Sequence, residues 1–353
     1  MTKKLSIIAS GLLLSTSMAF AADSIDEAFK GGKVSGSLTA YGSTVDKGSD
    51  SDVGYGTAAL SYTTDSYKGL SAGMSYIAGH AMADAALTNS SLMTEAYLAY
   101  SVDGATLSIG RQAIDLEWLG DYNESVLATI TAIPDTTITL AYTNEQAAAD
   151  EDEIGEFNSA NGNEGLYVID AKYAGIEGLE INPYYYSSKD LADYYGLKAS
   201  YSNDMIGAVA QYAASSEDTT TNDGSIAHIE LSGSVEGLSL AAGYIKTDKD
   251  AGTGSITGFG DNISPFDNGA NTYAADAKTV YGSIGYSIAS VDLGVLYGTT
   301  DFGTSSEETE LNISAGYSFT DSLSLGLLYV DYDLDGSSAS DYNSYSATLA
   351  YAF

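Results

Sequence analysis

After Lys33 the sequence is a succession of segments about ten residues long in which apolar and polar side chains alternate. Val291, Leu293, Val295 and Tyr297 form one such series, and Leu311, Ile313, Ala315, Tyr317 and Phe319 another. Ser, Thr, Gly, Asn and scattered charges occupy the opposite parity. A period of two marks a strand with one apolar face. The connections constrain the fold more tightly still. Short ones at 103–104, 133–135, 175–178, 202–204, 236–237, 289–290 and 320–321 take turns with long acidic ones at 113–124, 144–164, 214–225, 247–278 and 333–341. One end of the hairpin array therefore carries tight turns and the other long loops. That is the plan of an all-β transmembrane antiparallel β-barrel with short periplasmic turns and long extracellular loops, here of about 18 strands (16–18).

The two ends of the chain fit this plan. Lys3 and Lys4, an apolar run from Leu5 to Leu14 and the triplet Ala19-Phe20-Ala21 have the form of a secretory signal peptide. The expected division is 1–21 as signal and 22–353 as barrel. Ser24–Lys30 reads as one or two helical turns. No later segment has the roughly 20 uninterrupted apolar residues of a membrane helix, so an exported chain is soluble or crosses as a closed barrel. At the other end Tyr345, Ala347, Leu349, Tyr351 and Phe353 share one face of a final strand. In a barrel that strand pairs with the first and turns its apolar face to lipid. Tyr351 and Phe353 are the expected assembly signal.

Composition removes several function classes. Lys+Arg number 13 against 48 Asp+Glu, a formal charge of −35. Phosphate binding needs clustered Lys and Arg, so nucleic acid is not an expected partner. With no cysteine there is no disulfide framework, thiolate zinc site or Cys nucleophile. The two histidines, His80 near a loop and His228 in a strand, have no G-x-S-x-G motif beside them. No enzyme is expected. The only cofactor reading is weakly bound calcium. Asp331, Asp333, Asp335 and Gly336 match the opening of a calcium loop, but Tyr342 stands where the closing glutamate belongs. The stretch reads mainly as an acidic hairpin loop, and Asp115, Glu117 and Asp121 are an equal candidate cluster.

If the apolar parity faces lipid, the other parity lines a water-filled interior: Glu95, Asp170, Lys172, Glu180, Lys198, Gln211, His228, Glu230 and Asp292. For any one of these, ordinary solvation is the competing account. Arg111 shares the parity of Leu107 and Ile109 and is expected to face outward at its strand's extracellular end. The loop 113–124 stands out because Ile114, Leu116, Trp118 and Leu119 would be wasted on an exposed tip. Folded inward, they pack on the barrel wall. Asp115, Glu117, Asp121 and Glu124 then stand at the pore constriction. Low-dielectric walls focus the field there, whereas most surface charge lies beyond the roughly 8 Å Debye length from a permeating ion. A cation-preferring pore is expected, with Asp150–Glu153 in the outer loop contributing less.

The segment GRQAIDLEWLGDYNESVLATITAIPDTTITLAYTN, 110–144, resembles the corresponding region of the 18-stranded Opr-type porins, particularly the major outer membrane porins of the Campylobacter group. SIDEAFKGGKVSGSLTAYG, 24–42, is similar to theirs as well. The resemblance implies a homotrimeric, passive, cation-preferring diffusion channel of the bacterial outer membrane. Its surroundings would be outer-membrane lipid and lipopolysaccharide, and the barrel-assembly machinery would insert it. Substrate-specific relatives line their pore with a ladder of arginines, for which this chain has too few basic residues. The reading is a general porin for ions and small hydrophilic solutes. The alternative is an outer-membrane or surface β-protein with a structural or adhesive role.

Overall fold

The computed structural model describes residues 22–47, 51–83, 86–162, 164–303, 306–335 and 341–353. The expected signal peptide, 1–21, lies outside the described residues. After a helix α1 (Ile25–Lys30) the strands run β1 (Lys33–Asp46), β2 (Ser51–Thr63), β3 (Leu70–Ala83), β4 (Ser91–Val102), β5 (Ala105–Ala113), β6 (Tyr122–Ile130), β7 (Thr136–Ala147), the two-residue β8 (Asn158–Ser159), β9 (Leu166–Ile176) and β10 (Leu179–Ser188). They continue with β11 (Ala192–Ser202), β12 (Ile206–Glu217), β13 (Ser225–Val235), β14 (Leu238–Thr247), β15 (Lys278–Ile288), β16 (Val291–Phe302), β17 (Ser306–Ser318), β18 (Leu323–Leu334) and β19 (Tyr342–Ala352).

Apart from β8, each strand pairs antiparallel with its sequence neighbours, and β19 closes on β1 from Ser37↔Ala352 to Asp46↔Asn343. The result is a closed antiparallel barrel of 18 strands. Closure satisfies the backbone groups that an open sheet would leave bare in hydrocarbon. No described helix is long and apolar enough to cross a membrane; the strands do so instead.

The tight turns have the backbone their residues favour. Asp103-Gly104 and Glu236-Gly237 all have positive φ (42°, 78°, 50° and 86°), the conformation that suits a two-residue hairpin to the strand twist. The strands run further into the loop end than apolar alternation predicts. β3 reaches Ala83 and so includes His80, which was expected near a loop. On β1, Ser43, Thr44 and Asp46 end the apolar alternation while backbone pairing to β19 continues to Asp46.

Alternation separates the faces cleanly. On β9 Leu166, Val168 and Asp170 are buried, whereas Tyr167 and Ile169 are exposed. Exposed tyrosines flank the band. Tyr185, Tyr195, Tyr212 and Tyr297 lie toward the loop end, and Tyr201, Tyr286, Tyr317 and Tyr351 toward the turn end. Such rings place an apolar body in lipid and a hydroxyl in water. Helix α1, capped by Ser24, docks on the turn after β2, where Asp65 N–H donates to the Ala28 carbonyl at 3.0 Å.

Phe353 completes the seam. Its backbone exchanges two 3.0 Å hydrogen bonds with Gly36, and its ring stacks 6.1 Å from Tyr351 on the outward face. Deleting Phe353 removes both bonds at the closing pair. The expected outcome is a smaller membrane-inserted fraction with export intact, read by heat-dependent gel mobility of outer-membrane fractions. Unchanged insertion would show that the terminal aromatic is dispensable.

Candidate functional site: the lumen and its three inward loops

The main buried apolar cluster lies inside the barrel. It is built from loop side chains pressed on the inner wall. The loop 114–121 is a short hairpin closed by Ile114 N–H to the Asp121 carbonyl and Leu116 N–H to the Leu119 carbonyl, both 2.9 Å. Ile114, Leu116, Trp118 and Leu119 are all buried, Trp118 only 1% exposed, in one cluster with Tyr184, Tyr186, Tyr194, Ile226 and Ile245. Glu117 is buried with them. Lys198 Nζ on β11 lies 3.0 Å from each of its carboxylate oxygens, and Gln211 Nε2 on β12 donates to Oε1 at 3.0 Å.

The loop 248–277 also turns inward. Ile256, Phe259 and Ile263 join the same cluster. Gly120 N–H donates to the Phe259 carbonyl at 3.1 Å and Asn262 Nδ2 to the Leu116 carbonyl at 3.0 Å. Gln146 Nε2 clips both loops through the Gly120 and Phe259 carbonyls. Burial, and then the adjacent Asp261 carboxylate, push the Tyr273 phenol of this loop well above its ordinary value. It therefore stays a neutral donor, bonded to Asp261.

The third loop, 148–165, reaches the opposite wall. Ile154 is fully buried, and its Cδ1 lies 2.8 Å from where a Cβ on Gly79 would stand, so any larger residue at 79 would make Ile154 shift. Asn89 N–H donates to the Ile154 carbonyl at 3.0 Å. Between these loops the inner faces of β19, β1 and β2 carry Ser346, Thr348, Ser37, Thr39, Tyr41, Ser43, Tyr55 and Thr57. Tyr41 stacks on Tyr55 at 6.2 Å. Asp152, Asp267 and Glu151 all act electrostatically on the Tyr41 hydroxyl. A hydroxyl-rich wall thus faces carboxylates presented by two loops.

A family model described as "Putative outer membrane protein" matches residues 14–205, more than half of the chain. The chain belongs to this family of outer-membrane proteins. It is accordingly a multi-pass β-barrel of the bacterial outer membrane. Solved structures share its fold. OccAB4 of Acinetobacter baumannii is 17% identical, with 91% of this chain and 98% of that chain covered at a TM-score of 0.75. OccK8 (OprE) of Pseudomonas aeruginosa is 15% identical, covering 92% and 99% at 0.77. OpdK of Pseudomonas aeruginosa, solved with vanillate, is 13% identical with the same coverage and score. Among curated proteins none matches.

In this outer-membrane protein the expected lumen residues Glu95, Asp170, Lys172, Glu180, Lys198 and Glu230 all take the inward parity. A β-bulge beside Ser75 and Tyr76 turns both Thr94 and Glu95 inward. Asp170 accepts from Asn182 Nδ2 at 2.9 Å, and Tyr281 links Glu230 and His228 at 2.7 and 2.8 Å. The constriction set needs correction. Glu124 takes the outward parity with Val126 and pairs with Arg111 at 2.7 Å, beneath the ring of Phe157. Glu117 points into the wall and is neutralised by Lys198. Asp115 and Asp121 are exposed. The loop 144–164, with Asp150–Glu153, was expected to stay outside, but its Ile154 is buried against Gly79 of the inner wall. Asp331 and Asp333 are exposed on the outward parity of β18, and Asp335 is exposed just beyond it. Among the described residues no group of three or more carboxylates or histidines is placed to hold a metal ion.

Proposed function

We propose that this outer-membrane protein is a general porin through which ions and small hydrophilic solutes diffuse passively, with a preference for cations. The observation that carries the reading is a closed 18-strand wall with loops folded onto its inner face, which leaves the hydroxyl-rich stretch of β19, β1 and β2 facing a lumen to which the loops bring Glu151, Asp152 and Asp267. Water-filled lumens need such polar linings, and charge at the narrowest point selects ions.

The lumen does not suit a carboxylate solute such as the vanillate held by OpdK. Arg111 is the only arginine of the chain and faces out. Of the three strand lysines on the lumen parity, Lys198 is bound by Glu117, Lys172 stands beside Asp170, and Lys33 lies at the turn end of β1.

The proposal includes a signal peptide over 1–21, insertion by the barrel-assembly machinery among lipid and lipopolysaccharide, and a homotrimer. The likeness to Campylobacter-group porins supports the trimer. So does the outward face of β1 to β3, where Ala40, Gly42, Gly56, Ala58 and Ala78 surround exposed His80. A wall facing only lipid has no use for an imidazole.

Planar-bilayer recording in a KCl gradient tests the reading. A stable conductance with a reversal potential favouring K⁺ is expected. Neutralising Glu151 and Asp152 together should move that potential toward zero at least as far as D115N/D121N does. A purely structural barrel would give no conductance at all.

A further inference from the structure

Two carboxylates on the inner face of β17 are almost completely buried, yet neither has a lysine or arginine partner among the described residues. Glu308 and Glu310 are each 2% exposed. Instead of a cation, each binds the loop 248–277. Glu310 Oε1 accepts from the backbone N–H of Asp267 (2.9 Å) and Asn268 (3.1 Å) and from Asn312 Nδ2 (2.8 Å). Its Oε2 accepts from Gly269 N–H at 3.0 Å. Glu308 Oε1 accepts from Asn271 N–H at 3.1 Å, and its Oε2 from Asn271 Nδ2 at 2.7 Å and the Tyr332 hydroxyl at 2.9 Å. Successive backbone N–H groups that converge on one carboxylate satisfy it as a cation would, and they fix the turn that supplies them.

This turn begins with Asp267. Its carboxylate is exposed within electrostatic range of Tyr41 of β1 and Tyr342 of β19, and the clamp itself reaches β19, because Tyr332, bonded to Glu308, stacks on Tyr342 at 5.3 Å. The other half of the loop, Ile256 to Ile263, is packed apolar side down in the wall cluster. One end of the loop is thus held by hydrophobic burial and the other by two glutamates.

We propose that Glu308 and Glu310 are positioning residues for permeation. By clamping residues 267–271 to β17 they hold Asp267 at the gap beside Tyr41, and so set both the width of the pore and the charge that a passing ion meets. The inference rests on the porin reading. It transfers the control of selectivity from the loop 114–121 to two side chains buried behind the 248–277 loop.

The test is single-channel recording of the full-length protein, with assembly checked by heat-dependent gel mobility. E308A/E310A should raise conductance and move the reversal potential toward zero. E310Q keeps one carbonyl oxygen for the Oε1 donors but offers an amide to Gly269 N–H. It should fall between the wild type and E308A/E310A, an order that a general loss of stability does not produce. D267N should shift the reversal potential without disturbing the clamp. A wild type that conducts, with clamp variants indistinguishable from it, would overturn the proposal. So would an unshifted D267N, which remains informative if the clamp variants fail to assemble. A wild type with no conductance would instead sink the porin reading itself.

Discussion

Replacing Lys198 with Met should increase the preference for K⁺ and make the open channel noisy. The wild-type ammonium bonds both oxygens of Glu117 at 3.0 Å, leaving Gln211 as the remaining donor to that carboxylate. The Glu117 side chain is 6% exposed and that of Lys198 25%. Removing one partner of a buried pair strands the other charge, at a cost of about 3 kcal/mol, the low end of the usual range because Lys198 is partly wet. The cheapest relief is for Glu117 to leave the wall and carry the 114–121 hairpin into the lumen. Two changes then act in the same direction: a cation is lost and a carboxylate is gained by the pore. K198M/E117Q has neither charge and should return a quiet channel. If K198M matched the wild type in reversal potential and noise, the ion pair would not be what holds this loop.

Replacing Trp118 with Ala tests the apolar half of the same anchorage. Trp118 is 1% exposed in a cluster that also holds Leu119, Tyr186, Ile256 and Phe259. Truncating so large a buried side chain costs about 3–5 kcal/mol. The loss falls on the packing of two loops and not on the ladder of 18 paired strands, so the barrel should still assemble. Conductance should rise, and the 114–121 loop should become open to protease in the assembled protein. Because Phe259 belongs to the cluster and its carbonyl accepts from Gly120 N–H, the 248–277 loop should loosen too. Wild-type conductance in W118A would mean that the pore is narrowed elsewhere, and Glu151 with Asp152 would be the next residues to change.

Much of this architecture is written along the chain because a barrel wall is a local object. A strand that faces lipid on one side and water on the other must alternate, and a two-residue turn such as Asp103-Gly104 needs its own residues. Tyr345 to Phe353, the hairpin spacing, the inward turn of Ile114 to Leu119 and the outward course of Arg111 were therefore legible before any fold was known. The course of the 148–165 loop was legible only in retrospect. Its signal was one isoleucine, Ile154, set among acidic residues, and its partner Gly79 lies on a strand four places away around the wall.

The charge pattern of the pore was not legible at all. Sequence shows that Glu117, Glu124, Asp115 and Asp121 share one loop region, but the field at a constriction depends on which carboxylates find partners. Lys198 neutralises Glu117 from 81 positions away, and Arg111 takes Glu124 to the outer face. Glu308 and Glu310 disappear into a turn of the 248–277 loop that begins with the exposed Asp267. Alternation is a property of neighbouring residues and survives in a string. Charge pairing across a lumen joins distant strands, and only the closed tertiary structure brings them together.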